Sequence, residues 1–170
     1  MRVTRRPPRE RTGDRDVVDA LDAIRRIIRV LRLSSRVAER EFGVSAAQVF
    51  VLQQLATAPA SSINELAERT YTHQSSVSVV VRRLVEQKLV VRRVGARDRR
   101  RRELQVTPAG RRLLARAPLP GQLRLIGGLR SLPLKDLRRL ARLLARLVRG
   151  MGAAGEPATM LFEPGRSSHH

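Results

Sequence analysis

Cysteine is absent from the 170-residue chain, which excludes disulfide frameworks, thiolate metal sites and a cysteine-based redox sensor. Tryptophan is absent too, and with Phe 3 and Tyr 1 there are too few aromatics to cage a ligand. No window approaches the roughly 18 uncharged apolar residues that a membrane span requires. The basic opening, MRVTRRPPRERTGDRD, runs into Asp19, Asp22, Arg25 and Arg26 rather than into the apolar core of a signal peptide. A soluble cytoplasmic protein is therefore expected. Of the histidines, His169 and His170 lie in a terminal RSSHH that resembles the end of a purification tag and carry no functional weight, which leaves His73 alone. No metal-ligand spacing, His-carboxylate constellation or phosphate-binding Gly-rich loop is present, so neither an enzyme, a cofactor nor a metal is expected.

Acidic residues are also scarce. Lys+Arg 35 stand against Asp+Glu 15, with a sequence pI near 12.0. Such an excess points to a polyanion, either nucleic acid or an anionic membrane surface. Yet Lys88 and Lys135 are the only lysines. A chain rich in Arg, Ala and Leu can reflect a GC-rich genome, so the position of the charge, not its total, must identify the partner. The length suits one domain, or a small domain with an appended oligomerisation element.

Residues 1–13 are Pro- and Arg-rich and read as a flexible basic tail. From Asp14, the apolar or small residues Val17, Leu21, Ile24, Ile28, Leu31, Ser35, Ala38 and Phe42 recur in steps of four and three, the seam of one long helix ended by Gly43. SAAQ, Ser45 to Gln48, reads as a capping box that opens a second helix with Val49, Leu52, Leu55 and Ala56 on its buried face, and Pro59 stops it. SINE, Ser62 to Glu65, repeats the arrangement before NELAERT. QSSVSVVVRRLVEQK, Gln74 to Lys88, is valine-rich enough for a strand. Its periodicity decides for a helix: Val77, Val80, Val81 and Leu84 share one face, while Ser75, Ser78, Val79, Arg82 and Glu86 line the other. Residues 89–94 and 103–107 then pair as a hairpin with VGARDRRRR at its tip. Thr107 and Pro108 mark the start of a helix that breaks near Pro118 and Pro120, resumes through LRLIGGLRSL and meets Pro133. A last helix carries Leu137, Leu140, Leu144, Leu147 and Met151, and residues 152–170 read as a flexible tail that ends in the tag-like segment.

The fold class is thus mainly α with a small β-hairpin: a winged helix-turn-helix over 43–107, and a helical dimerisation region formed by 14–42 with 108–151. A winged helix-turn-helix sets its third helix in the major groove of duplex DNA. Gln74, Ser75, Ser76 and Ser78 suit that task, since short polar side chains reach phosphates and base edges without bulk and a helix N-terminus favours phosphate. His73, Arg82 and Arg83 complete the candidate contacts on this helix. At the hairpin tip, Arg97, Asp98, Arg99 and Arg100 are the candidate contacts, one carboxylate among arginines. An arginine entering a narrow minor groove loses rotamer entropy. Asp98, two residues from Arg100, can hold that guanidinium beforehand through paired hydrogen bonds. Alternatively, Asp98 only relieves repulsion among Arg97, Arg99, Arg101 and Arg102.

The run ELAERTYTHQSSVSVVVRRLVEQKLVVRRVGARDRRRRELQVTPAGRRLL resembles the core of the MarR family, the multiple antibiotic resistance regulators. The likeness lies in the helix pair, the wing element Asp98-Arg99-Arg100 and the L-x-V-T-P-x-G pattern from Leu104 to Gly110. It implies a dimeric transcriptional regulator, often a repressor, whose wing arginine, here Arg100, enters the minor groove with Asp98 holding it. Three positions depart from the pattern. Lys88 stands where a glycine commonly ends the recognition helix, so it either accepts a strained turn or the helix ends differently. Val79 replaces a polar contact residue, and His73 replaces a Ser or Thr cap, with Thr72 available instead.

Partners follow from both lines of reasoning. The terminal helices carry apolar seams that a 65-residue winged domain cannot cover, so pairing two chains is the economical burial, the alternative being that the two helices pack on each other within one monomer. A homodimer would read a pseudo-palindromic double-stranded DNA site. The resemblance further implies a small-molecule effector near Arg36, Phe50 and Gln53 with Arg32 as an anion anchor; alternatively these are ordinary interfacial residues, and no membrane partner is expected. A competing expectation is an architectural protein that coats DNA with little sequence preference.

Overall fold

The computed structural model describes residues 12–60, 62–94, 102–156, 158, 160 and 161. Seven helices and one hairpin follow in chain order among these: α1 (Thr12–Phe42), α2 (Ala46–Thr57), α3 (Ile63–Thr70), α4 (Gln74–Glu86), β1 (Val90–Val94), β2 (Arg102–Val106), α5 (Pro108–Arg116), α6 (Gly121–Arg130) and α7 (Leu134–Gly150).

Each start obeys local chemistry. Ser45 and Gln48 form the reciprocal capping box of α2, with the Gln48 amide N–H donating to Ser45 Oγ at 3.2 Å and the Ser45 N–H donating to Gln48 Oε1 at 2.9 Å. Ser62 Oγ accepts from the Glu65 N–H at 3.1 Å, and the Glu65 carboxylate meets Arg69 one turn on. Arg69 also donates to the carbonyls of Ala58 and Pro59, tying α3 to the end of α2.

The core lies around α2, which packs on α1, α3, α4, α5 and β2. Phe50, Val51 and Leu52 are all fully buried, whereas Ala56, expected on the buried face, is exposed. A helix enclosed on several sides has no single apolar stripe, which is why one face of α2 underestimates its burial. Val77, Val80, Val81 and Leu84 of α4 are buried as their spacing predicts, and each such side chain contributes about 1.5–3 kcal/mol of transfer free energy. The hairpin is antiparallel, with Val90 opposite Val106 and Arg92 opposite Leu104. Ala60 adds a third rung: its N–H donates to the Leu104 carbonyl at 3.3 Å and its carbonyl accepts from the Leu104 N–H at 2.8 Å.

The tail expected to be free over 152–170 departs from that expectation at Met160, which is 3% exposed and packs in the hydrophobic core. The long α1 divides in two. Leu31, Ser35 and Ala38 are buried, but Val17, Val18, Leu21, Ile27 and Ile28 remain exposed. Along α7 no residue is buried, and Leu143, Leu144, Leu147 and Val148 lie open.

Candidate nucleic-acid interface

α4 stands on a rigid base. Its inner face locks into α2 and α3, and its C-terminus closes in a Schellman turn. There the Leu89 N–H donates to the Leu84 carbonyl and the Lys88 N–H to the Val85 carbonyl, both at 2.9 Å. Lys88 occupies the left-handed position at φ 58, so the strained turn is the alternative the chain adopts. Tyr71, at φ 54, plays the same part at the end of α3. Left-handed backbone costs a non-glycine residue roughly 1–2 kcal/mol. Here the fold imposes it on both sides of α4.

The hairpin is clamped to this turn by Thr107. Its hydroxyl donates to the carbonyls of Lys88 at 2.9 Å and Leu89 at 3.2 Å, and accepts from the Gly110 N–H at 3.1 Å as the N-cap of α5. Gly110 is required by close approach: a Cβ there would lie 2.4 Å from the Leu89 carbonyl oxygen.

At the other end of α4, His73 occupies the N-cap position without a side-chain cap bond, so Thr72 does not take over that role. The opening amides of the helix therefore lack the side-chain acceptor that Ser45 and Thr107 give α2 and α5. His73, Gln74, Ser75, Ser78 and Arg82 are exposed on one side of the helix. Val79 lies half-buried among them. Arg83 is half-buried and already engaged within the fold. Ser76, grouped with the exposed polar residues by its chemistry, is 7% exposed and faces the core. Its spacing carried the signal, since Ser76, Val80 and Leu84 fall at i, i+4 and i+8.

At the wing stem, Arg92 and Arg93 of β1 are exposed and add two cations that the pattern of the tip alone did not single out. The tip residues Arg97, Asp98, Arg99, Arg100 and Arg101 lie outside the described residues.

Tyr71 is a further residue that periodicity could not mark. It is 64% exposed, and the Arg130 guanidinium at the end of α6 sits 5.3 Å from its ring centroid while also hydrogen-bonding its hydroxyl. This contact joins the helix-turn-helix to the C-terminal helices.

The four residues grouped as an effector site lie on two packed helices, α1 and α2. Arg32 and Arg36 line a groove of about 560 Å³ on α1, together with Arg25, Ile28, Arg29 and Leu33. Phe50 is fully buried in the core, and Gln53 is half-buried on α2. Among the described residues no cluster of three or more His, Asp or Glu could hold a metal ion, and no helix is long and apolar enough to cross a membrane.

The comparisons with known proteins agree on one architecture. The family model described as MarR family matches residues 19–101. A solved MarR family transcription regulator superposes with a TM-score of 0.53 at 18% identity, covering 82% of this chain and 93% of its own. Wild-type MarR from E. coli in its apo form superposes at 0.50 with 21% identity, covering 75% and 95%. The transcriptional regulator BldR from Sulfolobus solfataricus superposes at 0.50 with 23% identity, covering 80% and 99%. None of the curated proteins matches the sequence. The chain is thus similar to the MarR family over a match that runs from within α1 through β1, and it shares the winged helix-turn-helix fold of the solved regulators.

Proposed function

We propose that this chain is a dimeric, sequence-specific DNA-binding regulator of the cytoplasm that represses by occupying promoter DNA. The observation that carries this reading is the two-sided character of α4, with Val77, Val80, Val81 and Leu84 fixed in the core while His73, Gln74, Ser75, Ser78 and Arg82 face outward. A rigid inner face holds the outer side chains at a constant register, which base-edge recognition in a major groove requires. In this reading Arg100 enters the neighbouring minor groove and Asp98 holds its guanidinium.

The second copy covers what one chain leaves open. The exposed Val17, Leu21 and Ile28 of α1 and Leu143, Leu144 and Leu147 of α7 form apolar surface that an isolated monomer has no means to bury. A small-molecule effector, by the same reading, lies against Arg32 and Arg36, where the arginine-lined groove favours an anion.

Selection from random duplexes by the full chain tests the proposal. The expected product is a site of two related half-sites about 10 base pairs apart, centre to centre. Recovery of unrelated sequences after repeated rounds would instead describe a protein that coats DNA through charge.

A further inference from the structure

The positive charge is unevenly shared between the helices. α1 carries seven arginines and six acidic residues, so its surface is close to neutral. Between Glu103 and Glu156 there are eleven cations and a single acid, Asp136. Six of those cations, Lys135, Arg138, Arg139, Arg142, Arg146 and Arg149, lie on α7.

Their placement is one-sided. Lys135, Arg139, Arg142, Arg146 and Arg149 recur in steps of four and three and form a row about 21 Å long, with Arg138 beside it. All six are exposed, and none of their side chains makes an ion pair or hydrogen bond with another described residue. Leu137, Leu140, Leu144, Leu147 and Val148 occupy the opposite face. Like charges at i and i+4, as at Lys135 and Arg139 or Arg142 and Arg146, oppose helix formation. α1 relieves such repulsion locally, with Asp22 on Arg25 at 2.7 Å. Among the described residues, α7 has no such ion pair.

We propose that the cationic row of α7 is a second DNA-binding surface, which takes the phosphate backbone of a duplex other than the one held by α4 and the wing. B-DNA presents one negative charge per about 1.7 Å of axis with both strands counted, so a row of about 21 Å runs along roughly six phosphates of one strand. A row of guanidinium groups without aromatic or amide partners positions phosphates and reads no bases. A membrane surface fits less well. An interfacial helix must insert its leucine face into lipid, and in the dimer reading, on which this inference rests, that face is covered by the second copy. One dimer thereby holds two DNA segments, one by sequence and one by charge.

The test uses the full chain, an immobilised duplex that carries the selected site, and a fluorescent second duplex that lacks it. The wild type is expected to retain the second duplex, with a log–log salt slope of about −3 or steeper for that retention. The variant R139Q/R142Q/R146Q/R149Q should retain the second duplex at least about tenfold less while binding the immobilised duplex as before. R139K/R142K/R146K/R149K keeps the point charges and should bridge like the parent, which separates charge loss from damage to the helix. Arg100→Ala should lose the immobilised site first, so failure at the wing is distinguishable from failure at α7. Bridging by the glutamine variant equal to that of the wild type, no bridging by the wild type, or wild-type binding to anionic phospholipid vesicles in place of the second duplex would each overturn the assignment.

Discussion

The hydroxyl of Thr107 donates to the carbonyl of Lys88 at 2.9 Å, joining the residue that opens α5 to the residue that turns the chain out of α4. Because Thr107 also closes β2, one side chain fixes α4, the hairpin and α5 to each other. The Thr-Pro-x-Gly pattern is thus a mechanical joint. Thr107 supplies the bonds, Pro108 starts α5, and Gly110 leaves room for the Leu89 carbonyl.

Thr107→Val keeps the shape but removes both the cap and the donor to Lys88. Its expected cost is about 1–2 kcal/mol, read as a lower urea midpoint with an unchanged slope. A loss below about 0.3 kcal/mol would show that the joint is held elsewhere.

Gly110→Ala places a Cβ where the Leu89 carbonyl oxygen is 2.4 Å away and Val106 Cγ1 is 2.7 Å away. Backbone must move, so a destabilisation of about 2 kcal/mol or more is expected in the same assay. Wild-type stability would mean that α5 lies farther from β1 than this geometry has it.

Lys88→Gly works in the opposite direction. Relief of left-handed strain, roughly 1–2 kcal/mol, outweighs the added freedom of the unfolded glycine, roughly 0.4–1 kcal/mol, for a net gain of about 0.5–1 kcal/mol. Lys88→Val, β-branched at the same φ 58, should destabilise. Equal effects of the two substitutions would exclude a left-handed residue at this turn.

For the dimer, light scattering at micromolar concentration is expected to give twice the 19.1 kDa chain mass. Leu144→Asp with Leu147→Asp should shift the population towards monomer, because each carboxylate would be desolvated in the proposed interface. A monomeric wild type would contradict the reading.

How far the sequence foretells this arrangement depends on whether the deciding force is local. The caps at Ser45 and Thr107 are satisfied within three residues, so they were legible. Periodicity resolved the valine-rich α4 against its strand propensity because one side of that helix is solvated. Tertiary features were not legible. Ala60 joins the hairpin through backbone bonds alone, and Tyr71 adopts φ 54 only because the chain must turn there to present α4. Met160 reaches the core from beyond the last helix, and the short apolar run Met160-Leu161-Phe162 has no periodicity that places it there. Ser76 misled by chemistry where its spacing with Val80 was the better guide.

At the wing, Arg100→Ala should weaken DNA binding by about tenfold or more, and Asp98→Ala by less, since the latter only loosens the guanidinium. Equal losses from Arg101→Ala and Arg102→Ala would point to undirected charge.

Specific recognition is tested by the affinity of the full chain for its selected duplex and for a scrambled one, by fluorescence anisotropy at two salt concentrations. Both should weaken with salt, by about 0.9 in log–log slope for each phosphate contact. Binding to the selected duplex is expected to be at least about 10³-fold tighter. Equal affinities at both salt concentrations would contradict it.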